Sequence, residues 1–252
     1  MLVNFQSVRN KEIDLNILLL QYAPDVVFGC ETWLTSQDSS SEFFPKNYTV
    51  YRTDRDSRGG GVLIAVNTRL RSWESVITSP GEICACEVEN GKMRVYMVCA
   101  YRSQTDVTTL DSLESIFLNK MKGRKVQVII AGDLNLPELK WHEEAVIFNE
   151  RNNLHRNVQS IMTFAGMKQI VSQPTRNENC LDLFFTNIQN TIVDVEPGIS
   201  DHATVLAKFQ TTMVKNTNSS ITCLDYPRAN VTGRDGAAIW GIQECMSPAQ
   251  CE

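Results

Sequence analysis

The chain has 252 residues, 42% of them hydrophobic, and a formal net charge of −5. This composition allows one substantial core and argues against a surface that coats nucleic acid non-specifically, although a local basic groove remains compatible with it. No apolar run approaches the roughly 20 residues of a membrane span. Five of the eight cysteines fall in apolar or strand-like segments and no secretion signal is recognisable, so we expect buried free thiols in an intracellular protein, nuclear or cytoplasmic and not secreted.

The first part of the chain predicts a strand, a helix and two further strands. The first strand covers Leu2 to Phe5, and the helix runs from about Arg9 to Tyr22, with an apolar side formed by Ile13, Ile17, Leu18 and Leu20. A buried strand from Asp25 to Cys30 then brings Glu31 to a strand end. The strand that begins at Tyr48 leads into a basic loop with Gly59 to Gly61, whose arginines include Arg52, Arg55 and Arg58. Such a loop can approach a polyanion closely, but a glycine-rich turn with solvated charges has the same composition.

The middle of the chain predicts successive strands of a mostly antiparallel sheet and then a crossover. The strands cover Val62 to Val66, Ile83 to Val88 and Met93 to Tyr101, with a hairpin signal at Asn90-Gly91. A helix from Thr108 to Lys122 follows, ended by Gly123, and the next strand starts at Val126. Strand, helix and strand in this order are typical of a βαβ unit.

The last part predicts a second helix, from about Leu154 to Ala165, and three more strands. Two of them, Leu181 to Thr186 and Thr191 to Glu196, flank Asn187 to Asn190 as a protruding hairpin, and the last strand ends at Phe209. Beyond residue 210 the apolar periodicity is lost. We therefore expect one domain over residues 1–210 and a disordered tail or truncated linker over 211–252.

The buried strand that ends in Gly-Asp-Leu-Asn carries the first chemical signal. Five of the six residues from Val126 to Ala131 are apolar, and Asp133 and Asn135 lie just past the end of the strand. A carboxylate and an amide two residues apart can supply oxygen ligands for a hard cation such as Mg²⁺. Taken alone, however, such a quartet more often makes an Asx-turn that closes a strand.

Seven short motifs in chain order resemble the endonuclease/exonuclease/phosphatase superfamily. They centre on Asn4, Glu31, Gly59 to Gly61, Tyr101, Gly132 to Asn135, Asp182 and Ser200 to His202. The contexts Glu-Thr-Trp-Leu after Cys30 and Gln-Pro-Thr-Arg before the Asp182 strand are most similar to the apurinic-type endonuclease domain of non-LTR (LINE-like) retrotransposons. The resemblance covers roughly residues 1–210 and implies a four-layer α/β sandwich of the DNase I-like kind, with two packed mixed β-sheets flanked by helices.

The resemblance also implies a role for each matched residue. The metal ligands would be Glu31, Asp201 and Asn4, and the catalytic residues would be Asp133, Asn135, His202, Asp182, Tyr101 and Asn4. Asp133 would orient and deprotonate the attacking water, and Asp182 would hold the imidazole of His202, which donates to a phosphate oxygen. The cofactor would be Mg²⁺, with Mn²⁺ as the other candidate.

The function that follows is a Mg²⁺-dependent DNA endonuclease, derived from a non-LTR retrotransposon, that nicks one strand and leaves a 3′-hydroxyl. Its partner would be double-stranded DNA, the protein would act as a monomer, and the substrate-binding residues would be Arg52, Arg55, Arg58, Thr175, Arg176, Asn187 and Ile188. Unlike the retrotransposon proteins, the chain has no reverse transcriptase motif.

Three alternatives stay open. An apurinic/apyrimidinic repair endonuclease would use the same residues, and a superfamily phosphatase would act on a small anion. The third is a catalytically inactive nucleic-acid-binding relic. One departure from the family bears on activity, because Arg102-Ser103-Gln104 follows Tyr101 where prolines or an asparagine are common.

Overall fold

The computed structural model describes residues 1–55, 57–91, 93–120, 126–141 and 146–209, together with residues 221–223 and 243–245. The chain divides into two compact units, Met1–Thr212 and Met213–Glu252. In the second unit the structure describes one antiparallel pair of short strands, β13 (Ile221–Cys223) and β14 (Gln243–Cys245). The predicted disorder of 211–252 otherwise falls outside the described residues, and the predicted boundary at residue 210 stays a prediction.

The first unit contains twelve described strands and three described helices. In chain order they are β1 (Leu2–Asn4), α1 (Glu12–Tyr22), β2 (Val26–Cys30), β3 (Tyr48–Thr53), β4 (Val62–Asn67), β5 (Arg71–Glu74), β6 (Glu82–Asn90), β7 (Met93–Tyr101), α2 (Thr108–Lys120), β8 (Gln127–Asp133), α3 (Asn153–Ala165), β9 (Lys168–Gln169), β10 (Asp182–Thr186), β11 (Ile192–Glu196) and β12 (Thr204–Lys208). A short 3₁₀ turn covers Ser40–Glu42.

Two mixed sheets of six strands pack face to face. The strand order is β11-β12-β1-β2-β4-β3 in the first sheet and β5-β6-β7-β8-β10-β9 in the second. The pairs β1–β2 and β7–β8 are parallel, and the other strand pairs of these sheets are antiparallel. The Phe28 ring of the first sheet meets the Phe184 ring of the second edge to face, with centroids 6.0 Å apart. The predicted fold class, including the crossover through α2, is confirmed.

Both faces of the central strands are buried because helices cover the outer sides. In β2, Val26, Phe28 and Cys30 belong to the core between the sheets, whereas Val27 packs with Leu15 and Leu18 of α1. This explains why the strand sequences are continuously apolar rather than alternating. None of the helices described is long and apolar enough to cross a membrane.

The predicted apolar side of α1 is largely wrong. The buried residues are Leu15, Leu18 and Leu19, while Ile13, Ile17 and Leu20 are 77%, 53% and 84% exposed. Apolar residues occur on opposite faces of this helix, so the sequence does not reveal which face the sheet will cover. The helix also begins at Glu12 rather than near Arg9.

Two predictions of strand pairing are also wrong. Val62–Asn67 lies in the first sheet, whereas the Glu82–Asn90 and Met93–Tyr101 hairpin lies in the second. Likewise β10 and β11 belong to different sheets, so residues 187–190 connect the sheets instead of forming a hairpin tip. The short strands β5 and β9 were not predicted, and the predicted helix end at residues 121–123 lies outside the described residues.

Candidate active site

The strand directions bring the chemically marked residues to one rim. The parallel strands β1 and β2 end at Asn4 and just before Glu31, and β8 ends at Asp133. The antiparallel strands β10 and β12 start at this rim, so Asp182 lies opposite Asp133 and His202 precedes β12. The order and direction of the strands therefore bring together residues that are as far apart in the chain as Asn4 and His202.

Asn4 links the two carboxylates at the centre. Its Nδ2 donates to Glu31 Oε1 at 3.2 Å and to Asp133 Oδ2 at 3.0 Å, and its Oδ1 accepts from the backbone N–H of Gln6 at 3.1 Å. The amide oxygen therefore faces the chain rather than the carboxylates. In this orientation Asn4 positions Glu31 and Asp133, and its predicted role as a metal ligand gains no support from the contacts.

The turn after β8 fixes Asp133. The backbone N–H of Asn135 donates to Asp133 Oδ1 at 3.1 Å, with Asn135 at a left-handed φ of 47°, so the Asx-turn and the candidate catalytic site coincide. The Asn135 Nδ2 donates to the carbonyl of Arg102 at 2.8 Å. Gly132 is required here because a Cβ would lie 1.8 Å from the Ala100 carbonyl oxygen.

Asp182 and His202 form a buried pair. Asp182 Oδ2 lies 2.7 Å from His202 Nδ1, and both side chains are almost fully buried. Since a carboxylate accepts, Nδ1 carries the proton and Nε2 points elsewhere. Among the described residues, His202 Nε2 and Asp182 Oδ1 have no hydrogen-bond partner although both are buried. The predicted Asp182–His202 contact is thus present in the structure.

Burial and close charges perturb the site's pKa values. Burial raises the pKa of Asp133 well above its usual value, and the charges of Asp182 and Glu31 add to this, while His202 and the Asn135 backbone act in the opposite direction. Burial alone lowers the pKa of His202, but the hydrogen bond and charge of Asp182 raise it more, so the net pKa is raised. Burial, then Glu31 and Asp133, raise the pKa of Tyr101, which keeps its phenol protonated.

A divalent cation suits this donor set. Glu31, Asp133 and His202 each offer one ligand atom, and these three atoms lie within 4.8 Å of one another. A cation there would neutralise the two close carboxylates Glu31 and Asp133, and an anion bound to it could accept from the unpartnered Nε2 of His202. The carboxylate oxygens favour Mg²⁺ or Mn²⁺. Asp201 is not among these three residues; its Oδ2 pairs with Arg176 at 2.7 Å, and its Oδ1 lies 3.9 Å from His202 Nε2.

The three arginines of the basic loop have different surroundings. Arg52 donates to the Thr35 carbonyl and pairs with Asp54 at 3.2 Å, and Arg55 pairs with Glu82 and lies over the Tyr101 ring. Arg58 is exposed, with its guanidinium carbon 5.7 Å from the centroid of Trp33. Arg52 and Arg55 are therefore engaged within the protein, and Arg58 is the member of this set most open to a ligand.

Thr175 and Arg176 lie beside the Asp182–His202 pair. The buried Thr175 hydroxyl accepts from the backbone N–H groups of Leu181 and Asp182, at 3.1 and 3.0 Å, and its carbonyl accepts from Ala203. Thr175 thus fixes the start of β10 and the segment after His202. Arg176 is partly exposed at the same rim and pairs with Asp201.

Asn187 and Ile188 lie at the other end of the sheet. The Asn187 side chain contacts the backbone of Val126 and Val128, at the start of β8, and Ile188 is buried. Because β8 runs from this end towards Asp133, the structure does not bring these two predicted substrate-binding residues to the candidate site.

Two residues near the site were not predicted to take part. The Trp33 Nε1 donates to Glu31 Oε2 at 3.3 Å, and Arg102 is buried and donates to the carbonyl of Leu134 at 2.7 Å. Trp33 could have been noticed from its place in Glu-Thr-Trp-Leu, whereas Arg102 gave no sequence signal beyond its departure from the family pattern.

Comparison with known proteins agrees with this arrangement. Residues 95–206 match the family model described as endonuclease-reverse transcriptase, and they include Tyr101, Asp133, Asn135, Asp182 and His202. The match spans 112 of the 252 residues, so it shows that this region is similar to that family. No curated protein matches the sequence.

Several solved structures share this fold over most of the chain. The endonuclease domain of TRAS1, a telomere-specific non-LTR retrotransposon, is 15% identical, with 84% of this chain and 97% of that chain covered and a TM-score of 0.65. An AP endonuclease from Archaeoglobus fulgidus is also 15% identical, with 83% of this chain and 98% of that chain covered and a TM-score of 0.62. TDP2 of D. rerio, complexed with single-strand DNA product, is 15% identical, with 83% of this chain and 97% of that chain covered and a TM-score of 0.57. At these identities the likeness concerns the fold.

Proposed function

We propose that the protein is a Mg²⁺-dependent DNA endonuclease of the non-LTR retrotransposon type, which nicks one strand of double-stranded DNA and leaves a 3′-hydroxyl. The observation that carries the proposal is the convergence of Glu31, Asp133 and His202 within 4.8 Å, beside the buried Asp182–His202 pair. The likeness to nuclease folds supports it. We further propose that the chain acts as a monomer inside the cell, with residues 1–210 as the catalytic domain.

His202 would bind the scissile phosphate. Its Nδ1 is held by Asp182 at 2.7 Å, which fixes the tilt of the ring and leaves Nε2 as the free nitrogen. The hydrogen bond and charge of Asp182 raise the pKa of His202, which favours the imidazolium, the form in which Nε2 can donate to an anionic oxygen. This explains why a buried nitrogen lacks a partner among the described residues: the partner is the substrate.

Asp133 would orient the attacking water and accept its proton. Each of its oxygens already accepts one hydrogen bond, from Asn4 and from the Asn135 backbone, so the carboxylate is held in one orientation with lone pairs to spare. In this orientation the carboxylate can accept a hydrogen bond, and then the proton, from a water beside it. Tyr101, kept as a phenol, would donate to the phosphate or to the leaving oxygen.

Glu31 and Asp133 would hold the metal, with Asp201 at the edge of the site. A bound Mg²⁺ or Mn²⁺ supplies charge neutralisation at the phosphate and at the leaving oxygen. Asn4 keeps the two carboxylates together by donating to both. Because Glu31 has a left-handed φ of 51°, the backbone at this position is strained, as is common for residues held by a functional site.

The test is nicking of supercoiled plasmid in Mg²⁺, in Mn²⁺ and in EDTA. We expect nicked circles with either metal and none in EDTA, and the nicked ends should support extension by a DNA polymerase without prior phosphatase treatment. Plasmid that stays supercoiled with both metals would overturn the proposal. Comparing intact with abasic duplex separates this activity from that of an abasic-site repair enzyme.

Glu31→Gln tests the metal role directly. The variant should nick slowly and recover part of its activity when Mg²⁺ is raised, because a neutral amide binds the cation more weakly than a carboxylate. The matched control is Glu74→Gln on the edge strand β5, where the side chain is exposed. If Glu31→Gln and Glu74→Gln have the same Mg²⁺ dependence, Glu31 does not bind the metal.

A further inference from the structure

An open surface cavity lies beside Glu31, outside the cluster that would perform hydrolysis. It has a volume of about 320 Å³ and is lined by Ser7, Arg9, Trp33, Thr35, Ser57 and Arg58. The lining comes from three loops, which follow β1, β2 and β3. A volume of this size is in the range of small-ligand sites.

Trp33 is fixed as one wall of this cavity. Its Nε1 donates to Glu31 Oε2 at 3.3 Å, and its backbone N–H donates to the Gly60 carbonyl at 3.0 Å. The guanidinium carbon of Arg58 lies 5.7 Å from the ring centroid. An indole held by its edge, with a mobile, exposed guanidinium over its ring, supplies the aromatic and cationic groups that proteins use to stack unpaired bases.

The charges of the cavity favour an anion. Arg9 and Arg58 contribute two guanidinium groups, and the carboxylate nearest to Arg9 is Asp38, 2.7 Å away. Asp38 is also held by the backbone N–H and hydroxyl of Thr35, both within 2.8 Å, and half of the Arg9 side chain remains exposed. Of the six lining residues, Arg9 and Arg58 are cationic and none is acidic, so the lining itself carries positive charge next to the Trp33 ring.

We propose that this cavity is a subsite for one unstacked nucleotide of the DNA strand, whose base stacks on Trp33 and whose phosphate pairs with Arg9 or Arg58. This subsite rests on the proposed nuclease function, because the strand that enters the cavity is the one whose phosphate is bound at the reaction centre. The contact between Trp33 and Glu31 places the subsite directly beside that centre. Its occupancy would influence which position of a duplex is nicked, since a nucleotide that unstacks easily enters at lower cost.

A second Arg–Trp pair lies away from this cavity and can serve as a matched control. On the second sheet, Arg94 lies over the Trp73 ring at 4.7 Å, with Trp73 on the edge strand β5. This Arg–Trp pair reproduces the chemistry of Arg58 and Trp33 away from the candidate active site. Substitutions in it therefore control for changes in fluorescence, folding and non-specific binding.

The experiment measures binding in EDTA, where no hydrolysis occurs, to two labelled strands of equal length, an oligothymidine and a strand of abasic residues. Wild-type protein should prefer the oligothymidine, because the abasic strand keeps the phosphates but has no bases to stack. Trp33→Leu should weaken oligothymidine binding by about tenfold and remove the preference, whereas Trp33→Phe should restore both to within about twofold. Trp73→Leu should match wild type.

Arg58→Ala provides a second route if Trp33→Leu does not fold. This exposed residue should be replaceable without loss of structure, and its removal should weaken oligothymidine binding by about threefold, while Arg94→Ala leaves it unchanged. Equal preference of Trp33→Leu and wild type for the oligothymidine would overturn the subsite. If the protein nicks nothing in Mg²⁺ or Mn²⁺ but its binding depends on Trp33, the subsite is kept and the nuclease function is rejected. If it nicks plasmid but its binding does not depend on Trp33, the nuclease function is kept and the subsite is rejected.

Discussion

The two sides of the acidic cluster use arginine in opposite ways. On the side of β7 and β8, Arg102 is 3% exposed and its guanidinium group donates only to backbone oxygens. The acceptors are the carbonyls of Leu134 at 2.7 Å, Ser103 at 3.1 Å, Gln104 at 3.2 Å, Asp106 at 2.8 Å and Asn135 at 2.5 Å. On the side of β2 and β3, Arg58 is exposed and lies over the Trp33 ring.

This difference separates positioning from binding. Arg102 connects the turn after Tyr101 to the turn that carries Asp133 and Asn135. The candidate base Asp133 is therefore held by a buried network of hydrogen bonds. Arg58 and Arg9 border a cavity and keep donors available for an anion. A guanidinium has five donors in a fixed fork, and whether its acceptors are backbone carbonyls or a ligand decides its role.

The largest effect should come from His202, which pairs with Asp182 at the same rim. His202→Ala removes the proposed phosphate donor and should slow nicking by about 10²–10⁴-fold while weakening strand binding in EDTA far less, since the other phosphate contacts remain. Single-turnover nicking rates and binding anisotropy measure the two quantities. A comparable loss of strand binding would mean that the histidine supports the rim rather than the reaction.

The Asp182–His202 pair makes a sharper version of this test. Asp182→Asn should also slow nicking without changing the Mg²⁺ dependence, because an asparagine can present its NH₂ to the ring and favour the wrong tautomer. The double variant should be no slower than His202→Ala, since residues that act as a unit are not additive. If the losses multiply, or if Mg²⁺ rescues Asp182→Asn, Asp182 instead belongs to the metal site.

The next effect is on stability and concerns Arg102. Arg102→Met should lower the free energy of unfolding by about 3 kcal/mol, because it leaves several buried carbonyls without a donor. Arg102→Lys should recover little of this loss, since an ammonium cannot reproduce the planar fork. Arg58→Met, the matched change on the other side, should stay within about 0.5 kcal/mol. Urea unfolding measures all three; equal losses at positions 102 and 58 would remove the distinction between the sides.

Much of the rim could be predicted because its residues are marked locally in the sequence. Asp133 follows a run of apolar β-branched residues that marks a strand end, and the family resemblance grouped Asp182 and His202 with it. The resemblance then supplied the pairing of Asp182 with His202, which the structure contains at 2.7 Å. Sheet membership could not be read in the same way, because Val62–Asn67 is buried on both faces and its pattern fits either sheet.

The roles of single arginines could not be predicted either. Arg102 stood out only as a departure after Tyr101, and its function depends on carbonyls that are 32 and 33 residues away in the chain. The composition of the basic loop predicts that Arg55 binds phosphate, but in the structure Arg55 pairs with Glu82. This pair depends on the contact between the two sheets, which the local sequence does not reveal. For α1, the exposure of Ile13 and Leu20 follows from which of two apolar faces the sheet covers.

The smallest effect should appear in the salt dependence of DNA binding. If Arg9 and Arg58 contact phosphates, each Arg→Ala change should reduce the slope of log K against log salt by about 0.7 to 0.9, the counterions released by one phosphate contact. Arg52→Ala should not change this slope, because Arg52 is already bonded to Asp54 and the Thr35 carbonyl; its thermal unfolding is followed to confirm that it folds. Binding measured across a salt series with a duplex in EDTA gives the slopes. A slope that falls for Arg52→Ala but not for Arg58→Ala would move the phosphate-contacting surface away from the Trp33 cavity and towards the base of the glycine loop.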